Sequence, residues 1–451
     1  MKKNNNDSLP IGQDTSLRHY CRNANNINGD TFVGIKSESI EGKQSIIINF
    51  PIGYKISEEE EELREEIINL FNILKDYKDN QSNVSGLSYD NNDIVEEFPI
   101  QAYYQVLYYY LNNGYFYTKE ERYKKGVSGP INWNRTIKQE KPIVQSNGFI
   151  YTQYRVRHHS ETDKDLITEI NRFCVYQSTL KIGWLFKLQL ANKPLKVIDL
   201  RLCVNYLKSL IIRTHQDKEK RLYQAMLDIL NYENSLIHPK TFHFGTYNFE
   251  YIWEYLIEET YGNVVKEDYF PRTKWLLNTY ESKINRALEP DSIMREENNI
   301  YVIDAKYYRY GITNNPNHLP PSSSINKQIT YGEYIATNHK FQQLRDKGMK
   351  VYNAFLMPFN SEGRDHSENR GTYYSIGEAI SEWKNSTASY ERVQGILIDI
   401  KDLMNNKVRP STNEIIKLAS EIRKINNNKK HSYSADMPGN KQNLQNNSKL
   451  S

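Results

Sequence analysis

Asp304 and Lys306 stand two residues apart at the end of an apolar run, Ile300-Tyr301-Val302-Ile303, and Pro290-Asp291 precedes that run. Side chains of a strand alternate between faces, so Asp304 and Lys306 share one side while Ala305 points to the other. Two carboxylates, Asp291 and Asp304, can hold Mg2+, a cation that takes oxygen ligands and keeps several waters. A lysine beside them can orient or deprotonate an attacking water, or neutralise charge that builds on phosphorus. These residue types together suit metal-assisted hydrolysis of a phosphodiester.

Several elements must position them. The run 300–304 lacks Gly and Pro and is rich in β-branched and aromatic residues, which predicts a buried strand. The polar stretch from Met294 to Asn299 predicts a hairpin turn that returns Asp291 alongside Asp304. Upstream, Phe249, Ile252, Trp253, Leu256 and Ile257 recur at helical spacing and predict one apolar face. Glu254 sits at the boundary of that face, a candidate third carboxylate for the metal, with an exposed helix carboxylate as the plain alternative. Glu250, Glu258 and Glu259 read as solvated. Downstream, Pro320-Pro321-Ser322-Ser323-Ser324 signals a loop and a helix start. Gln328 and Tyr331 share a face of the helix that follows. Gln328 could touch the scissile phosphate or the water beside the metal, or serve the fold alone.

A D-x-K triplet is weak evidence by itself, and the chain contains a second one. Ile396-Leu397-Ile398-Asp399-Ile400-Lys401 is also an apolar run ending in D-x-K. It lacks an upstream Pro-Asp and a following Gln helix, and it reads as a strand with solvated charges at its end.

Composition sets outer bounds. The chain has 451 residues, enough for two or three domains. Mean hydropathy is −0.75 and no apolar run approaches a membrane span, so no membrane partner is expected. The start, Met1-Lys2-Lys3-Asn4-Asn5-Asn6-Asp7, lacks the apolar segment of a secretory signal, which predicts a cytoplasmic protein. Cys21, Cys174 and Cys203 are scattered without metal-ligand spacing, as in a reducing compartment. The formal net charge of +4 is mild, so a DNA contact would rest on a local basic cleft. Gly42-Lys43 is the nearest approach to a P-loop, and Ser37 stands where its first glycine should be. Nucleotide hydrolysis by that route is excluded.

Along the chain, residues 1–28 read as a disordered tail. Residues 29–238 read as a mixed α/β region for DNA recognition or partner binding, with strands at 31–35 and 45–51 joined by a Gly42-containing turn. Ser57 and Glu60 read as a capping box opening a helix, and residues 78–97 as a polar loop. A second helix covers about 99–112, ending at Asn112-Asn113-Gly114. Arg135 falls on a predicted loop-to-strand boundary, where it could contact DNA or lock the fold through a buried hydrogen-bonded pair, and Arg155 and Arg157 share one face of a predicted strand that could face DNA or merely solvent; these three are the candidate DNA contacts. Adjacent His158 and His159 would point to opposite sides of that strand, a poor metal pair. A boundary near His238-Pro239-Lys240 opens the catalytic core, 239–405. A helix at 406–425 and a disordered tail at 426–451 complete the chain.

The blocks Phe32-Val33-Gly34-Ile35, Phe50-Pro51-x-Gly53-Tyr54, Gly129-x-Ile131-Asn132-Trp133-x-Arg135-Thr136-Ile137, Trp253-Glu254, Pro290-Asp291 and Ile303-Asp304-Ala305-Lys306-Tyr307-Tyr308 resemble the LlaJI family of type II restriction endonucleases over about residues 30–405. The nuclease end also resembles McrC-type subunits. The resemblance implies an α/β (α+β) protein whose C-terminal PD-(D/E)xK core is a mixed sheet flanked by helices. It implies a Mg2+-dependent, site-specific deoxyribonuclease acting on double-stranded DNA beside a cognate methyltransferase, alone as a homodimer or with a separate McrB-like GTPase subunit. A DNA repair nuclease is the alternative outside restriction.

Overall fold

Ile300, Tyr301, Val302 and Ile303 lie in a strand, Asn299–Ala305, every residue of which is buried after the first. The computed structural model describes residues 16–24, 31–40, 43–84, 93–146, 148–162, 166–194, 199–234, 243–278, 282–363, 371–384 and 387–428. The Gly42 turn, the boundary near Pro239 and most of both tails fall outside the described residues. The chain is mixed α/β, as the sequence predicts, and forms two compact units. One takes in described parts of residues 1–20, 35–47 and 95–245, the other those of 21–34, 48–94 and 246–451.

The second unit holds a five-stranded sheet in the order Ser292–Glu296, Asn299–Ala305, Val351–Phe359, Arg392–Asp399, Tyr373–Ile380. The three central strands are parallel and the two outer ones antiparallel to their neighbours. Central strands are buried on both faces, which is why Val351–Phe359 carries no exposed residue. The hairpin turn is shorter than the polar stretch predicts. Met294, Arg295 and Glu296 still pair, and only Glu297 and Asn298 turn, with Glu297 at φ +51°. Strand Tyr373–Ile380, interrupted by Gly377 at φ +111°, has no apolar run that announces it.

The helix Ser322–Thr337 covers one face. Its Tyr331 and Ile335 pack with Ile293, Ile300, Val302 and Val351, and Ile329 with Phe355 and Val393. Fully burying each such side chain is worth about 1.5–3 kcal/mol. Tyr301 alternates to the other side, where it meets Arg423 of the helix Thr412–Asn428 at 2.8 Å. The helix Phe249–Tyr261 is fixed by Trp253, whose Nε1 donates to the Leu356 carbonyl at 3.2 Å.

The helix Glu60–Val84 also belongs to the second unit and runs through part of the stretch expected as a polar loop. Its start is not the expected capping box. Ser57 Oγ accepts from Glu59 N and donates to Glu62, and Ser57 N donates to buried Glu66. Glu66 pairs with Lys401 at 2.6 Å. The second D-x-K triplet is therefore not solvated, which corrects the sequence reading. Asp399 is buried, accepts from the N–H groups of Lys401 and Asp402, and so caps the helix Ile400–Asn405, while its other oxygen accepts from Ser361 N at 2.8 Å. A carboxylate at a helix N-terminus satisfies otherwise orphaned donors.

Gly311, in the turn of helix Tyr310–Thr313, packs against the end of strand Val351–Phe359. A Cβ there would lie 2.1 Å from the Pro358 carbonyl oxygen. Gly311→Ala is expected to destabilise the protein by about 1–3 kcal/mol or more, because backbone rather than a flexible side chain must yield. Chemical denaturation would measure it, and an unchanged midpoint would refute the contact.

In the first unit, helices Ile100–Asn113, Leu166–Ile182, Leu200–Arg213 and Asp217–Asn234 pack on one another, and Thr118–Gly126 pairs with Tyr154–Thr162 as a two-stranded ribbon. Tyr103, on the first of these helices, is buried and its hydroxyl donates to Glu233 at 3.0 Å. Gly114 follows that helix at φ +74°, the conformation that favours glycine at a helix end. Among the described residues no helix is long and apolar enough to cross a membrane.

Candidate active site

Strand pairing alone brings the acidic residues together. Ser292 pairs with Ile303, so continuing the register sets Asp291 opposite Asp304. Directly opposed residues of an antiparallel pair have Cβ atoms about 4.5–5.5 Å apart. Asp291 is anchored by its own carboxylate, whose Oδ2 accepts from Ala305 N at 2.7 Å. Its carbonyl accepts from Lys266 Nζ at 3.0 Å. Lys266 also lies 3.7 Å from Glu258, a residue the sequence reads as solvated. No local pattern points to Lys266, because its contact spans 25 residues of sequence.

Asp304 is buried, 4% exposed, and Lys306 Nζ pairs with its Oδ2. Lys306 is itself only 19% exposed along its side chain. Burial alone would lower the lysine pKa, but the pair with Asp304 and the nearby Asp291 more than offset it, and the pKa is raised. Lys306 is thus an ammonium at neutral pH.

Burial and neighbouring carboxylates oppose the ionisation of Asp291 and Glu254. Burial, then Asp304, then Glu254 push the Asp291 pKa up to about 8, against Lys306 and the Ala305 N–H. Glu254 is raised first by burial; Asp304 and Glu250 raise it further, while Lys306 opposes. Glu254 thus faces the same group of charges. Among the described residues, however, no three His, Cys, Asp or Glu side chains form a cluster that could hold a metal. Asp291 and Asp304 stand opposite each other, and Glu254 lies near enough for its charge to raise the Asp291 pKa.

Gln328 is fully buried, and its Nε2 donates to the Val302 carbonyl at 2.7 Å, two residues before Asp304. Its Oε1 has no partner among the described residues. In this geometry Gln328 braces the strand instead of reaching towards a phosphate. Tyr331 follows on the same helix, and its hydroxyl donates to the Glu289 carbonyl at 3.0 Å, holding the approach to Pro290-Asp291.

The end of the site strand is tied down from afar. Tyr307, next to Lys306, accepts from Ile52 N at 2.8 Å and packs its ring against Phe249 and Trp253. Phe50 and Tyr54 stack at 4.8 Å around that contact, and Gly53 turns at φ +77°. The Phe50-Pro51-x-Gly53-Tyr54 block therefore supports the segment just past the strand, which carries Lys306.

The candidate DNA-contacting arginines lie in the first unit. Arg135 is exposed in the first turn of a helix, Trp133–Gln139, where the sequence predicts a loop-to-strand boundary; Asn132 caps that helix by accepting from Arg135 N. Arg155 lies on a strand as predicted, but its Nε donates to Glu140 at 2.8 Å, and its backbone N–H donates to Thr136. Lys125 and Arg155 together hold the Glu140 carboxyl below its usual range. The side chain of Arg157 lies outside the described residues, although its backbone pairs with Tyr123.

Residues 32–368 match the LlaJI restriction endonuclease family, a span that contains Glu254, Asp291, Asp304, Lys306 and Gln328. The chain belongs to the LlaJI restriction endonuclease family. A similar protein, the type II restriction enzyme BsuMI component YdjA of Bacillus subtilis (strain 168), is 24% identical over 347 residues, covering 71% of this chain and 68% of that protein. A chain of the refined half-complex of Thermococcus gammatolerans McrB AAA+ hexamers with bound McrC aligns at a TM-score of 0.34 and 15% identity, over 87% of the LlaJI-family chain and 83% of the other.

Asp291 and Asp304 offer a LlaJI-family chain a donor set that suits Mg2+. They are hard oxygen ligands, and Mg2+ is commonly bound by one or two carboxylates plus phosphate and water. Their mutual repulsion, seen in the raised Asp291 pKa, is what a cation would relieve.

Proposed function

We propose that this chain is the DNA-cleaving component of a type II restriction system, hydrolysing phosphodiester bonds of double-stranded DNA with Mg2+. The observation that carries the reading is the meeting of Asp291 and Asp304 across one strand pair, with Lys306 on Asp304. Family membership supports the class of activity.

Asp291 and Asp304 would hold the metal, which when bound neutralises charge on the phosphate. Lys306, as an ammonium, cannot take a proton from water. It donates N–H to a non-bridging oxygen or to the attacking water and stabilises the charge that builds at phosphorus. The water oxygen bonds to phosphorus and one P–O ester bond breaks; one proton of the water is lost to solvent or to a phosphate oxygen, and the other proton equivalent, delivered from solvent, leaves the departing oxygen as a hydroxyl. Gln328, Tyr331 and Tyr307 keep the strand and its approach in place. Glu254 adds negative charge that favours cation binding.

The related Bacillus subtilis protein is described as a component. We infer that cleavage by this chain likewise draws on a further subunit, and that a cognate methyltransferase protects the host DNA. Digesting methylated and unmethylated genomic DNA, with and without the products of adjacent genes, tests this. Full cutting of methylated DNA would reject restriction in favour of another nuclease role.

A further inference from the structure

Three residues beyond Lys306, Arg309 is held in a closed ring of hydrogen bonds. Arg309 Nη2 lies 3.4 Å from His318 Nε2, His318 Nδ1 lies 2.7 Å from Thr313 Oγ1, and Thr313 Oγ1 donates to the Arg309 carbonyl at 3.1 Å. Thr313 Oγ1 also accepts from Asn315 N at 3.3 Å. With the threonine proton on the carbonyl, Nδ1 donates to Oγ1 and Nε2 accepts from the guanidinium. The ring orients the arginine.

The guanidinium is otherwise unspent. It is half-buried, and Nη1 is buried with no partner among the described residues. Other arginines of the same unit show the contrast. Arg392 pairs with Glu378 and Arg423 with Glu296. A half-buried charge without a counterion is costly unless a ligand supplies one. An arginine fork matches a phosphate.

The location fits a nucleic-acid backbone. Three residues span at most about 10 Å, and each DNA strand carries a phosphate about every 3.4 Å of axis. Tyr308 N donates to the Lys306 carbonyl at 2.7 Å, so the segment is turned tightly and the real distance is shorter. Residues 312–317 beyond it are exposed.

We propose that Arg309, oriented by Thr313 and His318, binds a DNA phosphate flanking the one at Lys306. The proposal rests on the nuclease reading for the identity of its ligand, but it is tested without cleavage. Binding of the full chain to a fluorescent duplex would be measured in EDTA across a salt series, for the native protein and for Arg309→Gln, Arg309→Lys, His318→Ala and the Arg309→Gln/His318→Ala pair, each checked for a native melting temperature. Arg309→Gln should weaken binding and reduce the slope of log affinity against log salt by about 0.9, the value of one phosphate contact. Arg309→Lys should keep the slope. His318→Ala should weaken binding, and the double variant should be no weaker than Arg309→Gln alone, because histidine acts through arginine. An unchanged slope in Arg309→Gln, or full additivity in the pair, would overturn the proposal. Failure of cleavage in the native protein would instead count against the nuclease reading and leave these slopes interpretable.

Discussion

Lys306→Ala is expected to slow DNA cleavage by about 10²- to 10⁴-fold while the protein still binds DNA. That range is typical for removing a positioned catalytic cation or proton-handling group. The loss should fall on the chemical step if Lys306 acts where charge builds at phosphorus, as proposed. Lys306 also neutralises Asp304, with which it pairs inside a buried site. Removing it leaves more uncompensated negative charge, which favours cation binding, so the variant should demand no more metal than the native protein. Single-turnover cleavage at saturating protein separates the chemical step from binding. A Lys306→Ala protein that cuts at the native rate would remove the lysine from the mechanism.

Asp291→Asn is expected to stabilise the metal-free protein at pH 8 and to abolish its stabilisation by Mg2+. The sign follows from the direction of the shift. The Asp291 pKa rises in the folded chain from an ordinary 3.8 to about 8, through burial and the carboxylates of Asp304 and Glu254. A raised carboxyl contributes stability that is fully present below its unfolded pKa and is lost as pH rises through the folded value. The native protein without metal should therefore lose stability between about pH 4 and pH 8 from this residue, and Asn at 291 has no such loss. Asn retains an oxygen that can accept from Ala305 N, so the hairpin contact survives. Mg2+ at a hundredfold above its Kd adds about 2.7 kcal/mol to a protein that binds it only when folded. Thermal melts at pH 5 and pH 8, with and without Mg2+, would show both effects. A variant less stable than the native protein at pH 8 without metal would contradict the assignment of Asp291 to a crowded acidic site.

The centre of the site was legible because it is local. A β-branched run, a polar reversal and a Pro-Asp pair specify a hairpin, and the hairpin register does the rest. The apolar face around Trp253 was readable for the same reason, since helical spacing is a short-range signal. What escaped depends on distant contacts. Asp399 and Lys401 look like solvated ends until Glu66 and Ser361 are placed beside them. Gln328 lies on the expected helix, but only the tertiary structure turns its amide onto the Val302 carbonyl. Arg135 sits among turn residues that gave no helical period over a segment as short as Trp133–Gln139. Nothing local in the sequence pairs Arg155 with Glu140, because Glu140 lies on a neighbouring element. Tyr307 carried no chemical signal of its own; its partner is the backbone of Ile52.

The central claim is that Asp291, Asp304 and Lys306 make a metal-dependent phosphodiesterase. It is tested most directly by incubating supercoiled plasmid with the native chain and with Asp304→Asn, in Mg2+ and in EDTA, each with its companion subunits present. The native protein should convert the plasmid to nicked or linear DNA in Mg2+ and leave it intact in EDTA, and Asp304→Asn should leave it intact in both. Cleavage by Asp304→Asn at the native rate, or native cleavage undiminished by EDTA, would contradict the assignment.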